Sequence, residues 1–325
     1  MSTPKGMISS TPKGVASPKK KIVISSGDPG GCGPFITLKA IENLGQSNLE
    51  FFVVGDQKIF QKLPIYKKVK NRINLIDLNT PGIERIKAGQ SSRLSGKASL
   101  SYLNKALELI DQKKINRLVT APSSKEAVKL VLKKFCGHTE YLADYFKADN
   151  FAMMMVSAEL KVVMATRHIN LKAVSSSLKG KDIYNLLSLT YRFLQNQFKI
   201  KCPRIVFCAV NPHAGVNTFI GNEEKKILQA RKKFKKLTLG PYPADTIFTK
   251  EKLKHYDCVI CAYHDQAMIP FKLLSFHTGV NVTLGLPIVR TSPAHGVAYD
   301  IVAKGKQPFH SSMLEAIKLA SKLSR

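Results

Sequence analysis

"KIVISSGDPGGCGPFITLKAIENLG", residues 21–45, changes character twice within 25 residues. Its β-branched opening, "KIVISS", has the composition of a short strand. "GDPGGCGP" follows as a glycine-rich turn, and "FITLKAIENLG" has the apolar spacing of an amphipathic helix, with Pro34 suited to a first helical turn. Strand, turn and helix in that order are the unit of an α/β fold. The pattern continues downstream: "LEFFVVGD" and "RINLIDL" read as strands, "KASLSYLNKALELIDQKK" as a long helix and "INRLVTAP" as a further strand. Such alternation favours mostly parallel sheets flanked by helices.

The turn itself is not a dinucleotide fingerprint. Its glycines fall at 27, 30, 31 and 33, and the acidic Asp56 comes too late to hold a ribose. A tight turn with close helix packing and a ligand-contacting loop are both open readings. In the middle of the chain, "FAMMMVSAELKVVMATRHINL" reads as a hairpin around Ser157 to Glu159, with Met153, Met154 and Met155 expected in the core.

At 325 residues the chain is long enough for two domains. No apolar run approaches the roughly 20 residues of a membrane span. Residues 1–21 hold five lysines, no acid and three Ser/Thr-Pro-Lys units, a basic tail without core-forming residues or the apolar stretch of a secretory signal, so a cytoplasmic location is expected. The formal charge of +29 raises the alternative of a basic nucleic-acid-binding protein. Its densest basic run, residues 223–236, instead sets Ile227, Ala230, Phe234 and Leu237 at helical spacing, leaving the charges on a solvated face. The six cysteines are scattered; Cys258 and Cys261 read as small apolar residues of a buried strand, because a zinc site would need a second such pair.

Three apolar strands run into histidines: His168 in "VVMATRHINL", His213 in "VFCAVNPHAG" and His264 in "VICAYHDQ". Each alone fits a hydrogen-bonded structural histidine. Together they could hold a divalent ion and leave coordination positions for substrate oxygens. "GHTE" clusters His138, Thr139 and Glu140, with Thr139 a possible helix cap. "GPYPADTIF" presents Asp245 and Thr246, and residues 276–300 set Asn281, Arg290, Ser292 and His295 among small residues, where Arg290 could grip a phosphate or carboxylate.

"GDPGGCGP", "TAPSSKEA", "GHTEYLA", "VNPHAG" with "GNEE", "GPYPADTIF", "AYHDQ" and "VNVTLGLPIVRTSPAHG" follow one another in the order of the 4-hydroxythreonine-4-phosphate dehydrogenase family, which the chain resembles from about residue 21 onward. The resemblance implies a two-domain fold like that of isocitrate and isopropylmalate dehydrogenases, with the active site in the interdomain cleft. Expected boundaries are 22–130 plus 258–325 for the NAD-side domain and 131–257 for the substrate, metal and dimer side. It further implies NAD-dependent oxidation and decarboxylation of 4-phosphooxy-L-threonine to 3-amino-2-oxopropyl phosphate, in pyridoxal phosphate biosynthesis, by a homodimer with shared active sites. NADP is the other cofactor open, and a phosphorylated sugar acid such as threonate or erythronate 4-phosphate the alternative substrate.

By the same resemblance, His168, His213 and His264, contributed from both subunits, hold the metal, Zn²⁺ before Mg²⁺ or Co²⁺. His138, Thr139, Lys272, Asn281 and Arg290 contact substrate. Asp245, Asp265 and Lys272 are candidates for proton or charge handling, and NAD runs along 281–300 past Leu284, Gly285, Ser292 and His295. The chain departs from the family's usual residues at Phe35, Asn170, Val216 and Ala294.

Overall fold

The computed structural model describes residues 18–215, 222–234 and 236–323; most of the basic tail and Val216 lie outside them. The strands are β1 (Lys20–Ser25), β2 (Leu49–Gly55), β3 (Ile73–Asp77), β4 (Arg117–Thr120), β5 (Ala152–Val156), β6 (Lys161–Met164), β7 (Ile205–Cys208), β8 (Thr238–Tyr242), β9 (Cys258–Cys261), β10 (Val280–Leu284) and β11 (Val289–Pro293). They form one 11-stranded sheet in the order β3-β2-β1-β4-β11-β10-β5-β6-β9-β7-β8. From β3 to β11 the neighbours are parallel, as they are from β6 to β8. Between the two groups, β10 pairs antiparallel with β11 and β5, and β5 pairs antiparallel with β6. The two parallel halves therefore run in opposite directions, joined through this central seam.

Helices of eight residues or more among the described residues are α1 (Gly33–Asn43), α2 (Arg93–Lys113), α3 (His138–Tyr145), α4 (Gly180–Phe198), α5 (Glu223–Phe234), α6 (His264–Ser275) and α7 (Ser311–Lys322). Helix α2 starts four residues before the stretch that reads as helical, because Ser92 and Ser95 form a reciprocal cap. The glycine-rich turn serves packing. Gly27 has φ +75°, and a side chain there would meet the Pro122 carbonyl at 2.2 Å; one at Gly33 would meet the Ser26 carbonyl at 2.2 Å.

Strand alternation divides the core in two. On one face a single apolar cluster crosses the whole sheet, from Ile22, Ile24 and Val53 through Val282 and Met154 to Ile260 and Phe207, covered by α1, α4, α5 and α7. On the other face there are two separate clusters. One joins Val23, Val54 and Leu118 to α2 and to Leu142 of α3; the other joins Val162, Val206, Val259 and Cys261 to Ala267 and Phe271 of α6. Between them the seam strands lie open to a cleft.

Two expectations need correction. Strand β9 sits between β6 and β7, so residues 258–261 belong with the second half, and the chain crosses back only at β10. Helix α3, expected in the second unit, packs through Leu142 on the first half. Both assignments depend on contacts distant in sequence. The hairpin of β5 and β6 forms as expected, and Cys258 and Cys261 are buried in β9. Leu237 falls beyond the end of α5 and is exposed. Among the described residues, no helix is long and apolar enough to cross a membrane.

Candidate active site

The floor of the cleft consists of two cross-strand rows. Ser292 of β11, Asn281 of β10 and Met155 of β5 stand in register, as do Arg290, Thr283 and Met153. The period of two that sends Val280, Val282 and Leu284 into the continuous core sends these residues to the opposite face. All of them but Thr283, which lies beneath Arg290, line a cavity of about 410 Å³, in the range of small-molecule sites. Met153 and Met155 thus line the cavity, and of the three methionines only Met154 joins the continuous core.

Arg290 is the strongest feature of the floor. The residue is 2% exposed, and its guanidinium donates to Thr283 Oγ1 at 3.1 Å and to Thr120 Oγ1 at 2.6 Å. Burial lowers its pKa to about 10, and the group stays charged at neutral pH. Its bonded partners are neutral hydroxyls, and its Nε is buried without a partner. Two other lining groups share that condition, Asn281 Oδ1 and His295 Nε2. Buried polar atoms without partners are uncommon, and three around one cavity point to a ligand that satisfies them.

One wall is built by the end of β4 and by α3. Gly137 takes φ 149° at the N-cap of α3, so Thr139 lies inside the first turn, buried, rather than at the cap. His138 Nε2 lies 3.2 Å from Ser123 Oγ. Burial, with the nearby charges of Arg290 and Lys125, drives its pKa down to about 3 and keeps the ring neutral. Glu140 is the one acidic residue lining the cavity among the described residues, and Arg167 of the opposite lip engages it at 3.7 Å while stacking on Phe151. Thr120, Ser123 and Lys125 belong to the motif "TAPSSKEA", but none is assigned a role individually in the sequence, because a lysine and hydroxyls beside a strand end do not by themselves indicate a chemistry.

The sheet order β6-β9-β7 makes the three histidine-bearing strands neighbours, parallel, with adjacent carboxyl ends. His168 and His264 both line the cavity, with ring centroids 5.8 Å apart. Burial, followed by the charge of Lys125, lowers the pKa of His168 and favours the neutral imidazole that a metal requires. His264 Nδ1 lies 2.8 Å from Asp265 Oδ1, an arrangement that leaves Nε2 for a ligand. This pair suits a divalent cation. His213 does not join them: it is exposed on a turn outside the cavity lining, and among the described residues no three His, Cys, Asp or Glu side chains converge.

The remaining candidates divide. Thr139, Asn281, Arg290, Ser292 and His295 line the cavity. Lys272 does not, although it reaches the rim by donating to the Ala294 carbonyl at 2.5 Å. Asp265 touches the site only through His264, and Asp245 is exposed on a short helix elsewhere. Leu284 and Gly285 lie outside the cavity lining. Leu284 is fully buried in the opposite core, and Gly285, at φ +86°, makes a turn so tight that a side chain would meet the Asn150 carbonyl at 2.2 Å.

A cleft at a reversal in sheet direction, holding a buried arginine bonded to hydroxyls, a lysine and neutral imidazoles, defines an α/β enzyme site for a small anionic molecule. The family model described as pyridoxal phosphate biosynthetic protein PdxA matches residues 37–320, and the chain belongs to that family. It is 37% identical to 4-hydroxythreonine-4-phosphate dehydrogenase of Desulforapulum autotrophicum, over 92% of this chain and 94% of that one. It is 35% identical to D-threonate 4-phosphate dehydrogenase of Salmonella typhimurium, over 94% and 99%. Among solved structures, 4-hydroxythreonine-4-phosphate dehydrogenase of Klebsiella pneumoniae superposes with a TM-score of 0.77 at 32% identity, covering 93% of this chain and 98% of that one. Isocitrate dehydrogenase of Methylococcus capsulatus shares the fold, at a TM-score of 0.51 and 12% identity over 93% and 84%.

Proposed function

We propose that the chain oxidises 4-phosphooxy-L-threonine with NAD and releases CO₂, forming 3-amino-2-oxopropyl phosphate. The hydroxyl of the substrate loses its proton as hydride passes from the same carbon to the nicotinamide. The resulting β-keto acid loses CO₂, and the electron pair left behind takes up a proton at carbon. The observation that carries this reading is the set of orphaned polar atoms around one cavity, Arg290 Nε, Asn281 Oδ1 and His295 Nε2. A substrate with a phosphate at one end and a carboxylate at the other supplies the charge that Arg290 and Lys125 lack.

His168 and His264 would hold a divalent ion, which when bound makes the substrate hydroxyl more acidic and offsets the negative charge left after decarboxylation. Neutral His138 orients or exchanges a proton with a substrate hydroxyl, and Asp265 fixes the tautomer of His264. Ser292 and His295 remain as contacts for the nicotinamide cofactor. A homodimer supplies the third imidazole, His213 of a partner subunit. Support for association comes from α6, whose Ile269, Leu273 and Phe276 form an exposed apolar stripe at i, i+4 and i+7 on the helix that begins with His264.

A second reading, D-threonate 4-phosphate as substrate, is favoured by one observation: Glu140, the acid in the lining, is engaged by Arg167, so among the described residues no free carboxylate of the lining faces a substrate ammonium. NADH formation with the two acids, on metal-stripped enzyme given back Zn²⁺, Mg²⁺ or Co²⁺, tests both. Activity with the amino acid phosphate supports the first reading, and activity confined to the hydroxy acid supports the second. Metal-loaded, folded protein inactive with both would overturn them.

A further inference from the structure

The turn that carries His213 is held in an unusual way. His213 and Ala214 are consecutive non-glycine residues in left-handed backbone, at φ 54° and φ 59°. Such backbone crowds a Cβ against the following carbonyl and persists only where its surroundings enforce it. Glu224, in the first turn of α5 and 6% exposed, provides that enforcement. Its Oε1 accepts from Val210 N at 3.0 Å and Asn211 N at 2.9 Å, and its Oε2 accepts from Asn211 Nδ2 at 3.0 Å. Glu223 takes a further bond from Asn211 Nδ2 at 3.0 Å and one from Ser175.

A second tie reaches the same segment from the His264 side. Gln266 Oε1 accepts from Ala262 N at 2.7 Å, and Gln266 Nε2 donates to the Ala209 carbonyl at 2.7 Å. Thr166 extends the lacing to the His168 strand by donating from Oγ1 to the Ala262 carbonyl at 2.7 Å. The ends of the three histidine-bearing strands are thus cross-linked by side chains that line no cavity of their own. A turn that served only to reverse the chain could relax to ordinary backbone; this one is clamped by a buried carboxylate while the imidazole it carries stays exposed.

We infer that Glu224 and Gln266 are positioning residues for a metal centre, fixing the turn that presents His213. This rests on the reading of His213 as a metal ligand. Neither side chain touches substrate or metal; each acts through the backbone of residues 209–213. Removing such outer-shell support typically lowers metal affinity about tenfold to a hundredfold.

The test is a Co²⁺ titration of the metal-stripped full-length chain, read by visible absorption, beside calorimetric binding of inorganic phosphate to the Arg290 pocket. Glu224→Ala is expected to lose about tenfold or more in Co²⁺ affinity with phosphate affinity unchanged. Glu224→Gln, whose amide oxygen still accepts from the two backbone N–H groups, restores most of it. Gln266→Leu shows a smaller loss and serves as the second probe where Glu224→Ala fails to fold. Wild-type Co²⁺ affinity in Glu224→Ala and Gln266→Leu, with His213→Ala impaired, overturns the inference alone. Parallel loss of Co²⁺ and phosphate binding overturns it too, by making both residues general supports of the fold. Undiminished Co²⁺ affinity in His213→Ala overturns the underlying reading as well.

Discussion

On one face of β10, Val280, Val282 and Leu284 are sealed in an apolar core that crosses the entire sheet; on the other face of the same strand, Asn281 keeps a buried oxygen without a partner, beside an arginine with no bonded counter-ion. One backbone serves both, since alternate side chains point to opposite faces. The difference separates stability from function at a spacing of one residue. The core face needs volume and apolarity, whereas the cleft face carries polar groups that folding alone does not satisfy.

Arg290→Met tests this contrast most severely. Removing the buried cation takes away the main anion contact, and kcat/KM is expected to fall about a thousandfold, roughly 4 kcal/mol of transition-state binding. The melting temperature should hold or rise, because an isolated buried charge contributes little net stability. A large drop in melting temperature would instead make Arg290 a structural residue and erase the contrast. Leu284→Ala is the mirror experiment. Deleting a fully buried side chain should destabilise the fold by about 3 kcal/mol, measured by urea unfolding, while the KM for NAD stays unchanged. A raised KM for NAD with unaltered stability would return Leu284 to the cofactor site.

Leu284 also indicates how legible the chain was. Asn281 and Arg290 stood out as polar side chains among small residues, and the cleft collects both. Leu284 was assigned to the cofactor from the family's pattern, although the period of two that sends Asn281 and Thr283 to the cleft sends Leu284 to the core. The α/β class and the β5–β6 hairpin were readable because their signals are local. The position of β9 and the packing of α3 were not, because each depends on partners distant in sequence, and although "TAPSSKEA" stood out as a motif, nothing local to it gave Ser123 or Lys125 a role. His213 reads like the other two histidines in its local context, and only the placement of its turn separates it from them.

A third expectation concerns pH. The pKa of His138 in the folded chain is about 3, below its ordinary value of 6.5. Between those values the unfolded chain binds a proton that the folded chain excludes, so stability rises with pH across this window. The contribution of the neutral ring is complete above about pH 6.5 and is lost as pH falls toward 3. His138→Gln, which cannot titrate, should lose less stability than the parent between about pH 7 and about pH 5. Parallel pH profiles would show that His138 accepts a proton in place, in an open cleft, and that the polar face is not shielded as described.

The smallest expected effect is that of Ser123→Ala. Its hydroxyl lies 3.2 Å from His138 Nε2 and helps set which ring nitrogen carries the proton. Loss of one such hydrogen bond is worth about 1 kcal/mol, about a fivefold fall in activity. Should the hydroxyl orient His138 for proton exchange, the fall appears in kcat with KM steady, and Ser123→Thr restores it. Should the bond only complete the wall of the cavity, the loss appears in urea unfolding and leaves kcat alone. Because Ser123 reaches the cleft from the segment that follows β4, outside the two rows of the floor, a change confined to kcat would extend the functional face beyond the seam strands, whereas a change confined to stability would restrict it to them.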